Sequence, residues 1–154
     1  MNVARKILLI IVIVFVAIQF IQPSKNKSEQ EFPTDISNVV IIPGEVKEVL
    51  KTSCYDCHSN NTHYPWYSFI QPAAWWMASH IKEGKADLNF SEFGNYTKRK
   101  QRNKLQAIAK SIQDETMPLS SYTLLHTSAK LSTEKKALII NWATTMKDSL
   151  ASIN

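Results

Sequence analysis

Both cysteines of this 154-residue chain lie in one short string, Cys54-Tyr55-Asp56-Cys57-His58. Cys-x-x-Cys followed by His is the pattern through which c-type haem is attached covalently. One helical turn brings both thiols within reach of the two vinyl groups of one porphyrin, and the next residue supplies the imidazole that haem iron takes as its proximal ligand. The string therefore predicts one covalent haem c with its iron. Cys54 and Cys57 are the expected thioether anchors, His58 is the expected proximal ligand, and the rest of the chain must fold around the macrocycle.

Three other interpretations of the cysteine pair stay open. A thioredoxin-like redox pair needs a βαβ context, which the pattern of this chain does not provide. A disulfide between Cys54 and Cys57 would close too small a loop to stabilise the fold much. A zinc site would need two histidines as further ligands, and His63, His80 and His126 show no paired spacing.

Residues 1–23 are predicted to form a transmembrane anchor. Arg5 and Lys6 precede an apolar run, residues 7–21, which only Gln19 interrupts. As a helix this run rises about 22 Å, short of the ~30 Å hydrocarbon core, but Val3 and Ala4 lengthen it. No small-residue cleavage site follows, which favours an anchor over a cleaved secretory signal or a buried core helix. We expect a single-pass protein of the inner membrane with its haem domain in the periplasm.

The remaining chain is divided into a flexible linker, residues 24–37, and a haem-binding domain, residues 38–154. The linker is polar and lacks periodicity. Four helices are predicted in the domain: one from Pro43 into Cys54, one from Pro72 to about Lys82 that ends near Gly84, one capped by Thr97 and one capped by Ser132. Residues 87–95 read as a loop with buried anchors at Leu88, Phe90 and Phe93, and no strand pair is evident. The predicted fold class is all-α, a small cytochrome c-like helical domain around one haem, preceded by the transmembrane helix.

The sixth ligand of the iron decides its chemistry, and Met117 is the predicted one. It precedes Pro118 in a loop between two predicted helices, so it can reach iron without a helix crowding the porphyrin. The alternatives are His80, His126 or an open site. Met77 reads better as a core side chain, and His63 lies too close in sequence to His58 to cross to the other face.

Two further stretches have more than one interpretation. The aromatic residues between Tyr64 and Trp76 form either a wall of the haem pocket or an ordinary aromatic core, and a carbonyl of Pro65 or Pro72 is expected to accept the ring N–H of His58. The basic run of residues 98–104 is a solvated helix face, a docking patch for an acidic redox partner, or a counter-charge for the haem propionates. A net charge of +5 is too small an excess to argue for nucleic acid, whose binding needs a clustered basic face with base-reading or stacking elements.

Several strings together resemble the bacterial haem-binding domain family. They are residues 54–60, 64–67, 71–76, 89–93, 117–122 and Leu131-Ser132, and the resemblance covers residues 38–148. It implies a small membrane-anchored protein of the kind common in Bacteroidetes-like bacteria, with one c-type haem, a periplasmic location and no established enzymatic activity. The pieces around Met117 and Leu131 also resemble the distal half of class I cytochromes c, although the glycine-rich stretch that those proteins carry after the haem histidine is missing here.

Together these features predict a membrane-anchored monohaem electron carrier that exchanges electrons with periplasmic or inner-membrane redox proteins and is not an enzyme. The alternative is a haem-based sensor or ligand-binding module in which Met117 can be displaced. A peroxidase ranks last, because the sequence shows no clear distal acid–base pair.

Overall fold

The computed structural model describes residues 2–28, 30 and 32–152, and these contain helices and no strand. The α-helices are α1 (Val3–Ile18), α2 (Gly44–Ser53), α3 (Tyr55–His58), α4 (Ala73–Asp87), α5 (Lys98–Gln113), α6 (Ser120–Leu125) and α7 (Thr133–Ala151). Short 3₁₀ segments lie at Ile36–Asn38, Trp66–Phe69, Phe90–Asn95 and Thr127–Ala129. The all-α prediction is confirmed for the described part of the chain.

Local capping explains where the two longest helices of the domain begin. The Thr97 hydroxyl accepts the backbone N–H of Lys100 at 3.3 Å, and the Ser132 hydroxyl accepts that of Lys135 at the same distance. Each bond satisfies one of the amides that the first turn of a helix leaves unpaired. Both caps were predicted from the sequence and are confirmed.

The hydrophobic core lies between α2, α5 and α7. α5 and α7 pack along each other, and α2 contacts α7. The loop after α4 adds two buried rings, Phe90 and Phe93, which are 1% and 0% exposed. Leu88 is buried as well, so the three predicted anchors of this loop are confirmed.

The segment predicted as a linker makes polar contacts with the domain. The Asn26 side chain donates to the carbonyl oxygen of Ser59 at 2.8 Å, and its backbone N–H donates to the Tyr64 hydroxyl at 2.6 Å. The backbone N–H of Gly94 donates to the carbonyl oxygen of Thr34 at 2.7 Å. These bonds tie both ends of the segment to loops of the domain.

The predicted transmembrane anchor is wrong. Among the described helices, none combines the length and the apolar character that crossing a membrane requires. α1 has 16 residues and so rises about 24 Å, less than the ~30 Å of a hydrocarbon core. The sequence interpretation had extended the apolar run to residue 21, but the helix ends at Ile18. The predicted location, in the inner membrane with the haem domain in the periplasm, depended on that anchor and is contradicted with it.

α4 is longer than predicted, because Gly84 lies inside the helix and does not end it. The helix continues to Asp87. A Cβ atom on Gly84 would lie 2.8 Å from the carbonyl oxygen of Cys57, closer than real Cβ atoms come. This glycine therefore permits a close approach between α4 and the backbone of α3.

Candidate haem site

The Cys-x-x-Cys-His string forms a single helical turn, α3, directly after α2. Cys54 interrupts the helical backbone, with φ −129° and ψ −38°, and its carbonyl oxygen accepts the N–H of His58 at 3.0 Å. Cys57 and His58 are thereby brought back beside Cys54. Both cysteines are half-buried, and both are free thiols, as thioether attachment to a macrocycle requires.

The turn borders a cleft made of two adjoining cavities of about 170 and 330 Å³. Cys54, His58 and Met117 line both cavities, and Cys57 lines the larger one. The combined space is in the range of small-molecule and cofactor sites, roughly 300–1,000 Å³. The structure thus brings together all four residues that the sequence nominated, and the cleft with its two thiols, imidazole and thioether fits a covalently held haem.

The His58 ring is oriented by a backbone carbonyl. Its Nδ1 lies 3.0 Å from the carbonyl oxygen of Leu88. Because a carbonyl only accepts, Nδ1 carries the proton and Nε2 keeps its lone pair for a metal. The acceptor predicted from the sequence, at Pro65 or Pro72, is wrong. Leu88 follows α4 and lies 30 residues from His58, so no local pattern marked it.

A polar network fixes the loop that presents this carbonyl. The Asn89 side chain donates to the Asn60 side-chain oxygen at 2.9 Å and accepts the backbone N–H of Ser91 at 3.1 Å. The backbone N–H of Asn60 in turn donates to the Ser91 hydroxyl at 3.1 Å. Residues just after the haem motif are therefore bonded to residues just after Leu88. These bonds fix the position of the Leu88 carbonyl relative to the His58 ring.

The end of α5 delivers Met117 to the cleft. Glu115 has a left-handed φ of 57°, the backbone N–H of Thr116 donates to the carbonyl oxygen of Ser111 at 3.0 Å, and that of Glu115 donates to Ile112 at 3.3 Å. This pair of bonds is the Schellman ending of a helix. The N–H of Met117 also donates to Ser111, at 3.3 Å. The helix end thus fixes the backbone from which the thioether enters the cleft.

The other candidate ligands lie in different surroundings. His80 lines the larger cavity, and its Nδ1 lies 2.9 Å from the carbonyl oxygen of Trp76, so it stays an alternative to Met117. His126 lies 2.5 Å from the Tyr67 hydroxyl through Nε2. His126, His63 and Met77 line neither cavity.

The surroundings of the thiols argue against the rival interpretations of the motif. Burial raises the pKa of the Cys54 thiol to about 12, with a smaller contribution from Cys57, and raises the pKa of Cys57 to about 11, with a contribution from Asp56. Both thiols are protonated at neutral pH, whereas a reactive thioredoxin-like cysteine has a lowered pKa. Within residues 2–28, 30 and 32–152, no three His, Cys, Asp or Glu side chains are grouped so as to hold a metal ion, so the zinc interpretation finds no ligand set there.

The aromatic stretch does not line the cleft. Trp66, Phe69 and Trp76 are exposed, and Trp75 donates its indole N–H to the carbonyl oxygen of Ile21 at 3.0 Å. The rings that line the cavities are those of Phe90 and Tyr122. Of the two interpretations left open for these aromatic residues, that of a wall of the haem pocket does not hold for these two cavities.

One member of the basic run turns toward the cleft. Lys104 lines the smaller cavity, its side chain is 20% exposed, and its Nζ lies 2.7 Å from a carboxylate oxygen of Asp87. Lys100 instead stacks over the Tyr96 ring, 3.8 Å from the centroid. Only Lys104 of these two is placed to meet an anionic group inside the cleft.

Sequence reasoning gave no role to Asp56, which lies inside the haem motif, or to Tyr122 of α6. The Tyr122 hydroxyl donates to Asp56 at 2.8 Å, which joins α6 to the middle of the haem motif. Both residues lie in strings that carry the family resemblance, and that was the available signal.

A shallow depression of about 500 Å³ between α2 and α7, lined by Glu45, Glu48 and Glu134 among others, holds no Cys, His or Met.

Comparison with known proteins gives one match. The sequence model of the haem-binding domain family matches residues 13–145, which is most of the chain. No curated protein and no solved structure matches it, so the relation to cytochrome c stays a prediction. On the family match, this chain belongs to the haem-binding domain family and is a haem-binding protein.

Proposed function

We propose that this protein holds one haem c covalently and carries single electrons. Cys54 and Cys57 are the thioether anchors, His58 is the proximal ligand and Met117 is the distal ligand. The observation that carries the proposal is the convergence of these four side chains on one cleft. The family match supports the cofactor and fits a protein that is not an enzyme.

The bound haem would supply an iron that cycles between two oxidation states, and the chain sets the conditions for that cycle. The Nε2 lone pair of His58 stays available for the iron, because the Nδ1–H of the ring donates to the carbonyl oxygen of Leu88. With His58 and Met117 as its ligands, such an iron would have a raised reduction potential, as in electron carriers. Leu88, Phe90 and Ile108 give part of the smaller cavity an apolar lining, and a hydrophobic shell of this kind limits the access of solvent to a metal.

We assign Lys104 as the residue that would pair with a propionate group of the haem. It is mostly buried for a lysine and borders the smaller cavity. Its partner, Asp87, is largely exposed, so water can solvate the Asp87 carboxylate when the ammonium turns to a propionate. The exposed residues of the basic run, Lys98, Arg99 and Lys100, form the surface we propose for an acidic redox partner.

A second candidate function is a ligand-binding or sensing module in which Met117 leaves the iron. One observation favours it: α6, which begins three residues after Met117, contains no buried residue. A segment without buried apolar side chains opens at low cost in free energy. A small gas such as carbon monoxide could then reach the iron.

Absorption spectroscopy of the haem-loaded protein separates the two functions. An electron carrier is expected to show a sulfur-to-iron band when oxidised and to bind carbon monoxide slowly when reduced. Met117→Ala should remove the band and make binding rapid, and His80→Ala is the matched control that should change neither. A wild-type protein that binds carbon monoxide as rapidly as Met117→Ala would contradict the carrier. A band lost in His80→Ala and kept in Met117→Ala would contradict the choice of ligand.

A further inference from the structure

We propose that Asp56 and Tyr122 are positioning residues for Met117, and that the hydrogen bond between them holds the Met117 segment closed over the cleft. The inference rests on the proposed function, in which Met117 is the distal ligand. It adds a physical link between the haem motif on one side of the cleft and the distal segment on the other.

The link starts from a carboxylate that is itself held in place. One Asp56 oxygen accepts the backbone N–H of His63 at 2.9 Å, and the Asp56 carbonyl accepts the Thr62 hydroxyl at 2.6 Å. The other carboxylate oxygen accepts the Tyr122 hydroxyl at 2.8 Å. Asp56 is therefore a rigid acceptor on the proximal side, one residue before Cys57.

The distal segment depends on this bond, since apolar burial contributes little to holding α6. No residue of α6 is buried, and Leu124 and Leu125 are 75% and 60% exposed. The α5 end of the segment is fixed by the bonds to Ser111. The other end is fixed where Tyr122 meets Asp56, so Met117 lies between two polar tethers.

Tyr122 is well suited to act as the donor. Burial, and then the hydrogen bond to Asp56, raise its pKa, so the hydroxyl keeps its proton at neutral pH. Its ring stacks on His126, with centroids 4.2 Å apart and planes 15° from parallel. His126 is bonded to the Tyr67 hydroxyl at 2.5 Å, so Tyr122→Phe keeps the partner on which the ring stacks and removes only the bond to Asp56.

The test uses the haem-loaded full chain with Tyr122→Phe, which removes the hydroxyl and keeps the stacked ring. A hydrogen bond to a charged group contributes enough that its loss should raise the open population roughly tenfold. We expect carbon monoxide to bind the reduced variant roughly tenfold faster than wild type, and the sulfur-to-iron band to weaken. The matched control is Tyr64→Phe, which removes a hydroxyl bonded to the Asn26 backbone at 2.6 Å and should keep the wild-type rate and band.

Two further variants keep the test decisive. Asp56→Ala should open the site at least as far as Tyr122→Phe does, because it also removes the acceptor of the His63 backbone N–H. The double variant should go no further than Asp56→Ala, because Tyr122→Phe then has no bond to Asp56 left to break. The Asp56→Asn variant keeps one acceptor oxygen and should bind carbon monoxide more slowly than the Asp56→Ala variant. Additive effects, or a Tyr122→Phe protein with the wild-type rate and band, would overturn the positioning role.

The two proposals fail in different ways. If wild type and Tyr122→Phe both bind carbon monoxide slowly while Met117→Ala binds it rapidly, then only the positioning role of Asp56 and Tyr122 is refuted. If wild type already binds carbon monoxide as fast as Met117→Ala, the distal ligand itself is wrong and the positioning role is lost with it.

Discussion

Replacing Gly84 with alanine tests the packing of α4 on the haem motif. A glycine-to-alanine change inside a helix normally stabilises it by up to about 1 kcal/mol. At Gly84 the new Cβ would lie 2.8 Å from the Cys57 carbonyl oxygen and 3.3 Å from the Cys57 Cβ. Ordinary contact begins at 3.4 Å, so α4 or α3 must shift by roughly 0.6 Å, and forced overpacking of this kind costs about 1–3 kcal/mol.

The matched control is Gly44→Ala. Gly44 is the first residue of α2, and a Cβ there would have no atom within 4 Å. The gap in unfolding free energy between the two variants should therefore be about 1–3 kcal/mol. For a chain of this size that corresponds to a difference in Tm of roughly 2–12 °C.

Thermal and urea unfolding followed by circular dichroism measure this gap on the haem-free proteins. Haem loading of the same variants gives a second measurement, because a shifted Cys57 backbone should lower the yield of Gly84→Ala and leave Gly44→Ala unchanged. Equal stability and equal loading of the two variants would refute the close packing of α4 against α3.

Three other variants test separate parts of the structure. Phe90→Ala should cost about 3–5 kcal/mol in urea unfolding, because Phe90 is 1% exposed, whereas Phe69→Ala, at 52% exposure, should change little; comparable losses would contradict the assigned core. Thr97→Ala should cost about 1 kcal/mol, since it removes the cap of α5, and an unchanged unfolding midpoint would show that the cap is dispensable. Asn89→Ala should loosen the hydrogen bond from His58 to Leu88 and so make the imidazole a weaker electron donor to the iron. The reduction potential of the haem should then rise by roughly 20–40 mV, the equivalent of about 0.5–1 kcal/mol. A potential that stays the same or falls in a redox titration would contradict the role of the Asn89 network.

The parts of the fold that local chemistry determines were predictable from the sequence. Thr97 and Ser132 accept bonds from amides three residues on, and Pro43 directly precedes α2. Such signals lie within one helical turn of the residue that carries them. The haem motif is local in the same sense, since its two thiols and imidazole lie within one turn.

Features that depend on distant packing were not predictable. Gly84 was interpreted as a helix end, because nothing near it in sequence shows that the Cys57 backbone lies against it. The carbonyl oxygen of Leu88 accepts a hydrogen bond from the ring of His58, 30 residues away, and no sequence pattern marks this carbonyl. α6 has no buried face, so no apolar periodicity marked it, although its Tyr122 closes a bond to a residue 66 positions earlier.

The prediction of the N-terminal segment failed for a different reason. The apolar run was close to the length a membrane requires, and its interpretation depended on how many flanking residues would join the helix. Gln19 is the C-cap of α1, and its side chain accepts the backbone N–H of Gln71 at 2.9 Å. That contact joins the end of α1 to the domain, so the residues of the apolar run alone could not predict it.

The mass of the intact purified protein tests the central claim most directly. The chain should be produced in cells that attach haem covalently, and the mass should be measured after denaturation and removal of free haem. We predict one species heavier than the polypeptide by one haem, and the bare polypeptide mass for a variant with both Cys54→Ser and Cys57→Ser. A wild-type protein that emerges colourless at the bare polypeptide mass would contradict the account.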